Sequence, residues 1–167
     1  MRMFLALARS TCGAAAAEMA LVIPLLLIIM MGSFELGNYF MNEHKLVKAV
    51  RDGARFAARQ PFGKYTCPNT IDGAVATDTK NVIRTGLASG GNSRIVNWTD
   101  AHITLSLACF TAANGTTLTG IYTGTANGAP VITVMATVPY TPILASYGFR
   151  GVGLNLNARQ QSAVMGV

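Results

Sequence analysis

The sequence Gly13-Ala14-Ala15-Ala16-Ala17-Glu18 directly precedes an uncharged segment, residues 19–34. Together with the four alanines, this segment reaches the roughly twenty apolar residues that cross a bilayer as a helix. Pro24 lies inside it and predicts a kink or a locally unwound turn. We therefore predict a membrane-spanning helix near the N-terminus.

An ordinary secretory signal does not account for this segment. Such a signal needs small residues in an A-x-A pattern after the apolar run, and the bulky and acidic residues from Phe34 to Phe40 break every such register. A lipoprotein signal fails as well, because Cys12 precedes the apolar run. The segment is therefore predicted to anchor the mature chain.

Glu18 is the unusual residue of this segment. A carboxylate at the edge of the hydrocarbon costs a few kcal/mol unless it is paired, so an acid there indicates a function. The alternative is an interfacial side chain that reaches toward water. Glu18 does not stand alone, however: it is the fifth residue after Gly13, and the short N-terminal stretch before Gly13 carries Arg2 and Arg9.

Gly13, Glu18 and an apolar helix containing a proline together resemble the precursors of type IV pilins. The resemblance implies that a membrane-embedded prepilin peptidase cuts after Gly13 on the cytoplasmic side and makes Ala14 the new N-terminus. It further implies that Glu18 pairs with the N-terminal amine of a neighbouring subunit. This pairing is physically reasonable, because an ammonium and a carboxylate that are each costly in lipid neutralise one another.

Two further motifs narrow the resemblance. Phe34-Glu35-Leu36-Gly37 and the stretch from Val50 to Arg59, added to the first motif, resemble the TadE-like proteins, minor pseudopilins of the Tad (Flp) tight-adherence pilus and secretion system. The resemblance implies a structural subunit whose partners are the prepilin peptidase, major and other minor pilins, the Tad inner-membrane platform and membrane lipid. The expected location is the bacterial inner membrane, with possible incorporation into a surface pilus.

The three cysteines bear on topology. Cys12 precedes the apolar segment, whereas Cys67 and Cys109 follow it, so in a single-span protein only these two share a compartment. We predict that they form a disulfide in a periplasmic C-terminal domain; two buried free thiols are the alternative. The Lys and Arg residues near the two ends of the span are more numerous on the C-terminal side, which by the positive-inside rule favours the reverse orientation.

Beyond the span, apolar residues continue at helical spacing, so one helix is predicted over residues 14–60, ended by Pro61. Its second half should form a stalk. On the face away from the apolar residues, basic side chains recur every three or four positions, which predicts a solvated basic stripe or a docking strip for a partner subunit. The stripe consists of Lys45, Lys48, Arg51, Arg55 and Arg59. Glycines in this helix, Gly32, Gly37 and Gly53, would allow another helix to approach closely.

The remainder predicts an α+β domain. A helix is expected over residues 71–88, with Ile71, Val75, Val82 and Leu87 facing the core and Ser89–Asn92 ending it. Strands are expected at 103–109, at 131–138, which should be central, and at 152–159, with a possible short strand near Ile121–Tyr122. The organisation is thus a leader at 1–13, a transmembrane and stalk helix at 14–60, and an exported domain at 61–167 with one helix on a three- or four-stranded, mostly antiparallel sheet, as in pilins.

No catalytic constellation emerges from the sequence. Asp100 and His102 would share a face of a strand, but neither a recognisable nucleophile nor a third metal ligand accompanies them, so they are interpreted as a solvated strand start. The net charge of +6 comes without aromatic–basic interleaving, so no nucleic acid partner is expected. We expect neither enzyme activity nor a metal or cofactor. Besides the pilin-like subunit, an uncleaved membrane-tethered binding module that recruits an envelope or secretion component remains open.

Overall fold

A computed structural model describes residues 11–111, 118–123, 125, 128–148, 151 and 153–166. Most of the predicted leader, and the side chain of Cys12, lie outside these residues. The secondary-structure elements, in chain order, are helix α1 (Thr11–Ala58), the short strands β1 (Tyr65–Thr66) and β2 (Thr70–Ile71), helix α2 (Gly73–Thr85), and strands β3 (Ile103–Phe110), β4 (Ala129–Pro139) and β5 (Asn155–Ala163). The predicted α+β class, with a long N-terminal helix, is confirmed.

Helix α1 is one element of 48 residues, about 72 Å long at 1.5 Å per residue. It ends at Ala58, three residues before Pro61, where the backbone of residues preceding a proline is biased away from helix. The helix continues without interruption across Pro24. The described backbone therefore contains no unwound turn at this proline, and a kink there stays a prediction.

Strands β3, β4 and β5 form one antiparallel sheet in that order, so the continuously apolar strand is central, as predicted. Strand β3 alternates as expected: Ile103 and Leu107 are buried, whereas Thr104 and Ser106 are exposed. Strands β1 and β2 pair with each other as a separate small hairpin.

The C-terminal half of α1 covers one face of the sheet. Its small and branched residues, Leu46, Ala49, Val50 and Ala54, are fully buried and join one core cluster with residues of β4 and with Leu156 of β5. This half of the helix is therefore the centre of the domain core rather than a free-standing stalk. The expected two-layer arrangement is present, but α1 supplies the layer that packs on the sheet.

Helix α2 packs against α1 at Gly53. A methyl group placed on Gly53 would come within 2.1 Å of Ile83 Cγ1, so only glycine allows this approach. The prediction of close helix contact is thus met at Gly53 within the chain itself. Around Gly32 and Gly37, by contrast, such a methyl group would meet no described atom within 4 Å apart from its chain neighbours and the nearby backbone of the helix itself.

The boundaries and buried face of α2 differ from the prediction. Asp72 caps the N-terminus by accepting hydrogen bonds from the backbone N–H groups of Ala74 and Val75. The helix ends at Thr85, before the expected stop at 89–92, and is capped by Gly86, whose φ of 91° is readily adopted only by glycine. Its buried positions are Val75, Thr79 and Ile83, whereas Val82 is only partly buried and Leu87 is exposed. The contact with α1 selects a face that hydropathy alone did not identify.

Two expectations in the C-terminal half need correction. Gly120–Tyr122 forms a 3-10 helix rather than a short strand. The last strand begins at Asn155 and extends to Ala163, so its predicted core positions are only partly correct. Leu156 is buried, Leu154 is exposed, and Val152 lies outside the described residues.

Candidate functional site

Among the residues that the structure describes, none forms a protein layer around the N-terminal part of α1. Every residue from Gly13 to Phe34 is exposed, and this segment has a mean hydropathy of 2.4 in its most apolar window. By length and composition it can cross a membrane. A surface this apolar is stable only in lipid or against other apolar helices, which makes it the first candidate for a functional site.

The predicted processing and assembly residues lie together on this bare segment. Gly13, Ala14 and Glu18 are all helical and exposed. Ala14 and Glu18 are four residues apart and thus neighbours on one helix face. Within the described part of the chain, the Glu18 carboxylate has no hydrogen-bond or ion-pair partner. It is an acid at one end of the apolar segment for which the described fold provides no partner.

A second acid, Glu35, marks the other end of the apolar segment and is handled differently. Its side chain is only 4% exposed. The carboxylate accepts hydrogen bonds from the Tyr140 hydroxyl, from Ile143 N at 3.2 Å and from Leu144 N at 3.0 Å. These donors follow β4, so Glu35 ties α1 to the loop after the central strand.

Tyr140 holds this contact in place. Asn38 Nδ2 donates to its hydroxyl at 2.7 Å, and the ring packs edge-on against Tyr39 with centroids 5.2 Å apart. Burial, reinforced by the hydrogen bond to Glu35, raises the pKa of Tyr140 to about 12. The hydroxyl therefore stays protonated and keeps donating over the physiological pH range.

From the sequence, Glu35 is named only as part of the motif Phe34-Glu35-Leu36-Gly37, and no role is predicted for it. The signal available was an acid on the predicted apolar side of the helix, between Phe34 and Leu36. An acid in that position needs a buried partner. The partners lie more than a hundred residues further along the chain, so sequence spacing could not reveal them.

The predicted disulfide is present. Cys67 and Cys109 are bonded, with their Cα atoms 5.9 Å apart, and they join the loop between β1 and β2 to the end of β3. The bridge closes a loop with a sequence separation of 42 residues, which in the chain-entropy account stabilises the domain by about 4 kcal/mol. Beneath the same hairpin, burial raises the pKa of Tyr65 to about 12, and its hydroxyl donates to the carbonyl of Ala57.

Asp72, the N-cap of α2, directly follows strand β2 of this hairpin. The Val75 N–H hydrogen bond is the main cause that lowers the pKa of Asp72, and Lys64 contributes through an ion pair at 3.4 Å. The carboxylate thus remains charged as a helix cap well below neutral pH.

The predicted basic stripe is exposed along the outer face of α1, opposite the core positions. It comprises Lys45, Lys48, Arg51, Arg55 and Arg59. On the adjoining face, Asp52 pairs with Arg94 at 3.5 Å. The stripe is therefore accessible from outside the chain.

Asp100 and His102 do not form a site. They lie on a 3-10 helix, Asp100–His102, instead of on a strand. Asp100 forms an ion pair with Arg84 at 3.0 Å, while His102 Nδ1 lies 3.3 Å from the Thr99 amide. Among the described residues, no group of three acidic, histidine or cysteine side chains could hold a metal ion.

Comparison with known protein families gives a match to part of α1. The model of the TadE-like protein family matches residues 13–55. No curated protein and no solved structure matches the chain. Across the helix that carries Glu18, Glu35 and Gly53, this chain is similar to the TadE-like proteins, and the resemblance predicted from its sequence is confirmed.

Proposed function

We propose that this protein is a minor pilin-like (pseudopilin) structural subunit of a Tad (Flp) pilus. The similarity to TadE-like proteins supports a component associated with the Tad pilus. The observation that carries the finer assignment is the exposed apolar segment with Glu18 unpartnered, among the described residues, five positions after Gly13. In this proposal another apolar helix packs on this segment and a cation pairs with Glu18.

In this proposal a prepilin peptidase cuts between Gly13 and Ala14, and the new ammonium group of one subunit pairs with Glu18 of the next. Each charge alone is costly near hydrocarbon, and an acid within the membrane typically has a partner. Assembly then supplies the partner that Glu18 lacks among the described residues.

The proposed orientation places the N-terminus in the cytoplasm and the domain in the periplasm. The Cys67–Cys109 bridge supports it, because disulfides persist in oxidising compartments. The Lys and Arg count points the other way. A periplasm-dependent reporter fused after Gln60 should be active, and an inactive one would reverse the orientation.

The proposed pairing is tested by substitution at its two components. Glu18→Gln keeps the size of the side chain and removes its charge, so cleavage should continue while recovery with sheared pili falls about tenfold, an assembly penalty of about 1.4 kcal/mol. Gly13→Leu should instead accumulate the longer precursor. Asp78→Asn on α2 is the matched control for loss of one carboxylate and should leave both readouts unchanged.

The results separate the candidate functions. Normal pilus recovery of Glu18→Gln would refute the pairing. An uncleaved wild-type chain, in cells with an active prepilin peptidase, would favour the membrane-tethered binding module.

A further inference from the structure

A short helix in the loop after β4 exposes large apolar side chains. On the 3-10 helix Ile143–Tyr147, Ile143 is 65% exposed and Tyr147 is 79% exposed, and Leu154, close behind in sequence, is 47% exposed. Isolated exposed apolar residues are common on protein surfaces. This group differs from such isolated residues because it lies beside the end of the apolar segment of α1.

The loop is fixed at the point where α1 would leave a membrane. Twenty rises of 1.5 Å from Ala14 span about 30 Å, the thickness of the hydrocarbon, and reach Phe34. Glu35, the next residue, accepts hydrogen bonds from the amides of Ile143 and Leu144. The start of the short helix, at Ile143 and Leu144, therefore lies within a few ångströms of the hydrocarbon boundary.

Leu154 approaches the same level from another side. With Gly32, Leu36 and Tyr39 it lines a groove of about 490 Å³ beside α1. Gly32 belongs to the uncharged segment and Leu36 follows Glu35, so the groove straddles the boundary. Its floor includes Glu35 and Tyr140, the two groups that hold the loop to the helix.

We propose that Ile143, Tyr147 and Leu154, here named the boundary surface, rest in the headgroup region of the phospholipid leaflet from which α1 emerges. The inference builds on the proposed insertion of α1 into a bilayer. Tyrosine favours the membrane–water interface, and apolar side chains at this depth bury surface that water would otherwise cover. Continuity with the apolar segment is the reason to assign lipid as the occupant.

The arrangement also explains how an acid is tolerated at this level. The Glu35 carboxylate meets protein donors rather than lipid, which offsets the cost of a charge at the hydrocarbon edge. The domain is then attached to the membrane at two points, the helix and the boundary surface. It sits on the bilayer instead of being raised above it.

Depth-dependent quenching of a fluorophore tests the boundary surface. The full chain carrying Cys12→Ser, which leaves only the two bridged cysteines, receives one new cysteine at Tyr147 and is labelled with nitrobenzoxadiazole. It is reconstituted in phosphatidylcholine–phosphatidylglycerol vesicles with and without nitroxide-labelled phospholipid. Quenching of the label at Tyr147→Cys should exceed quenching of the same label at the control position, Ile121→Cys, by about twofold or more.

The matched control is Ile121→Cys. Ile121 is an exposed apolar residue on another 3-10 helix, 57% exposed, and its neighbour Tyr122 packs on Phe62 just beyond the far end of α1. The helix from Glu35 to Ala58 places that end about 35 Å from the boundary. Leu26→Cys, within the apolar segment, reports insertion of the anchor.

Each outcome is decisive. Quenching at Leu26 and Tyr147 but not at Ile121 supports the boundary surface. Quenching at Leu26 alone overturns it and leaves the anchor intact. A Tyr147 label shielded only at high protein-to-lipid ratio, without lipid quenching, assigns the surface to a second copy and also overturns the proposal. No quenching at Leu26 refutes the membrane insertion on which the proposed function depends.

Discussion

Replacing Glu35 by alanine should loosen the attachment between α1 and the loop after β4. The carboxylate accepts from three donors, and hydrogen bonds to a charged group contribute about 1.5–3 kcal/mol each. The amides of Ile143 and Leu144 are only partly buried and regain water in the variant, whereas the Tyr140 hydroxyl stays buried. We therefore expect a loss of about 3 kcal/mol in the free energy of unfolding, well below the sum of the three bonds.

For a chain of this size that loss corresponds to a fall of about 10 °C in the unfolding midpoint. The assay is thermal unfolding of the full chain in detergent micelles, followed by near-ultraviolet circular dichroism, which reports the domain rather than the micelle-protected helix. Glu35→Gln keeps one acceptor oxygen and should lose about half as much. Glu18→Ala, an exposed acid on the same helix, should change the free energy of unfolding by less than about 0.5 kcal/mol. A Glu35→Ala variant as stable as Glu18→Ala would refute the attachment.

Substitutions at Gly53 and Cys67 and a pH titration of Tyr140 provide three further tests of the domain. Gly53→Ala should lower the free energy of unfolding by about 1–3 kcal/mol through its clash with Ile83. Gly32→Ala, which has open space around it in the described structure, should change the free energy of unfolding little. Equal unfolding midpoints for the two variants would contradict the close approach of α2 to Gly53. Cys67→Ser should lower the chemical denaturation midpoint by an amount equivalent to up to about 4 kcal/mol. The variant should have the same midpoint as the reduced wild type, because both lack the bridge. Tyr140 releases its proton at pH about 10 when unfolded and about 12 when folded, so stability should be constant below pH 10 and fall between those values; ultraviolet difference titration showing its ionisation at pH 10 would exclude this.

The parts of the fold that the sequence predicts well are those set by local pattern. An uncharged run and a stop at Pro61 define α1 to within a few residues. Period-two alternation defines β3, and the placement of the cysteines on one side of the span predicts their bond. Each of these inferences rests on a short-range rule, either membrane length, strand alternation or the compartment shared by two thiols.

The parts that sequence reasoning missed depend on contacts distant along the chain. The buried face of α2 is chosen by Gly53, thirty residues before Ile83, so Leu87 remains exposed despite its hydropathy. The Glu35 contact requires a loop that follows β4, which no spacing rule connects to α1. The candidate assembly residues are a third case. Gly13 and Glu18 can be identified from the sequence, but their proposed partners belong to other molecules.

We propose that this chain is processed to a pilin-like subunit beginning at Ala14. N-terminal mass spectrometry of protein extracted from membranes of cells with and without an active prepilin peptidase tests this processing. We expect a chain starting at Ala14 with the peptidase and a chain still carrying residues 1–13 without it. A chain that retains Met1 in both cells, or that starts at a residue other than Ala14, would contradict it.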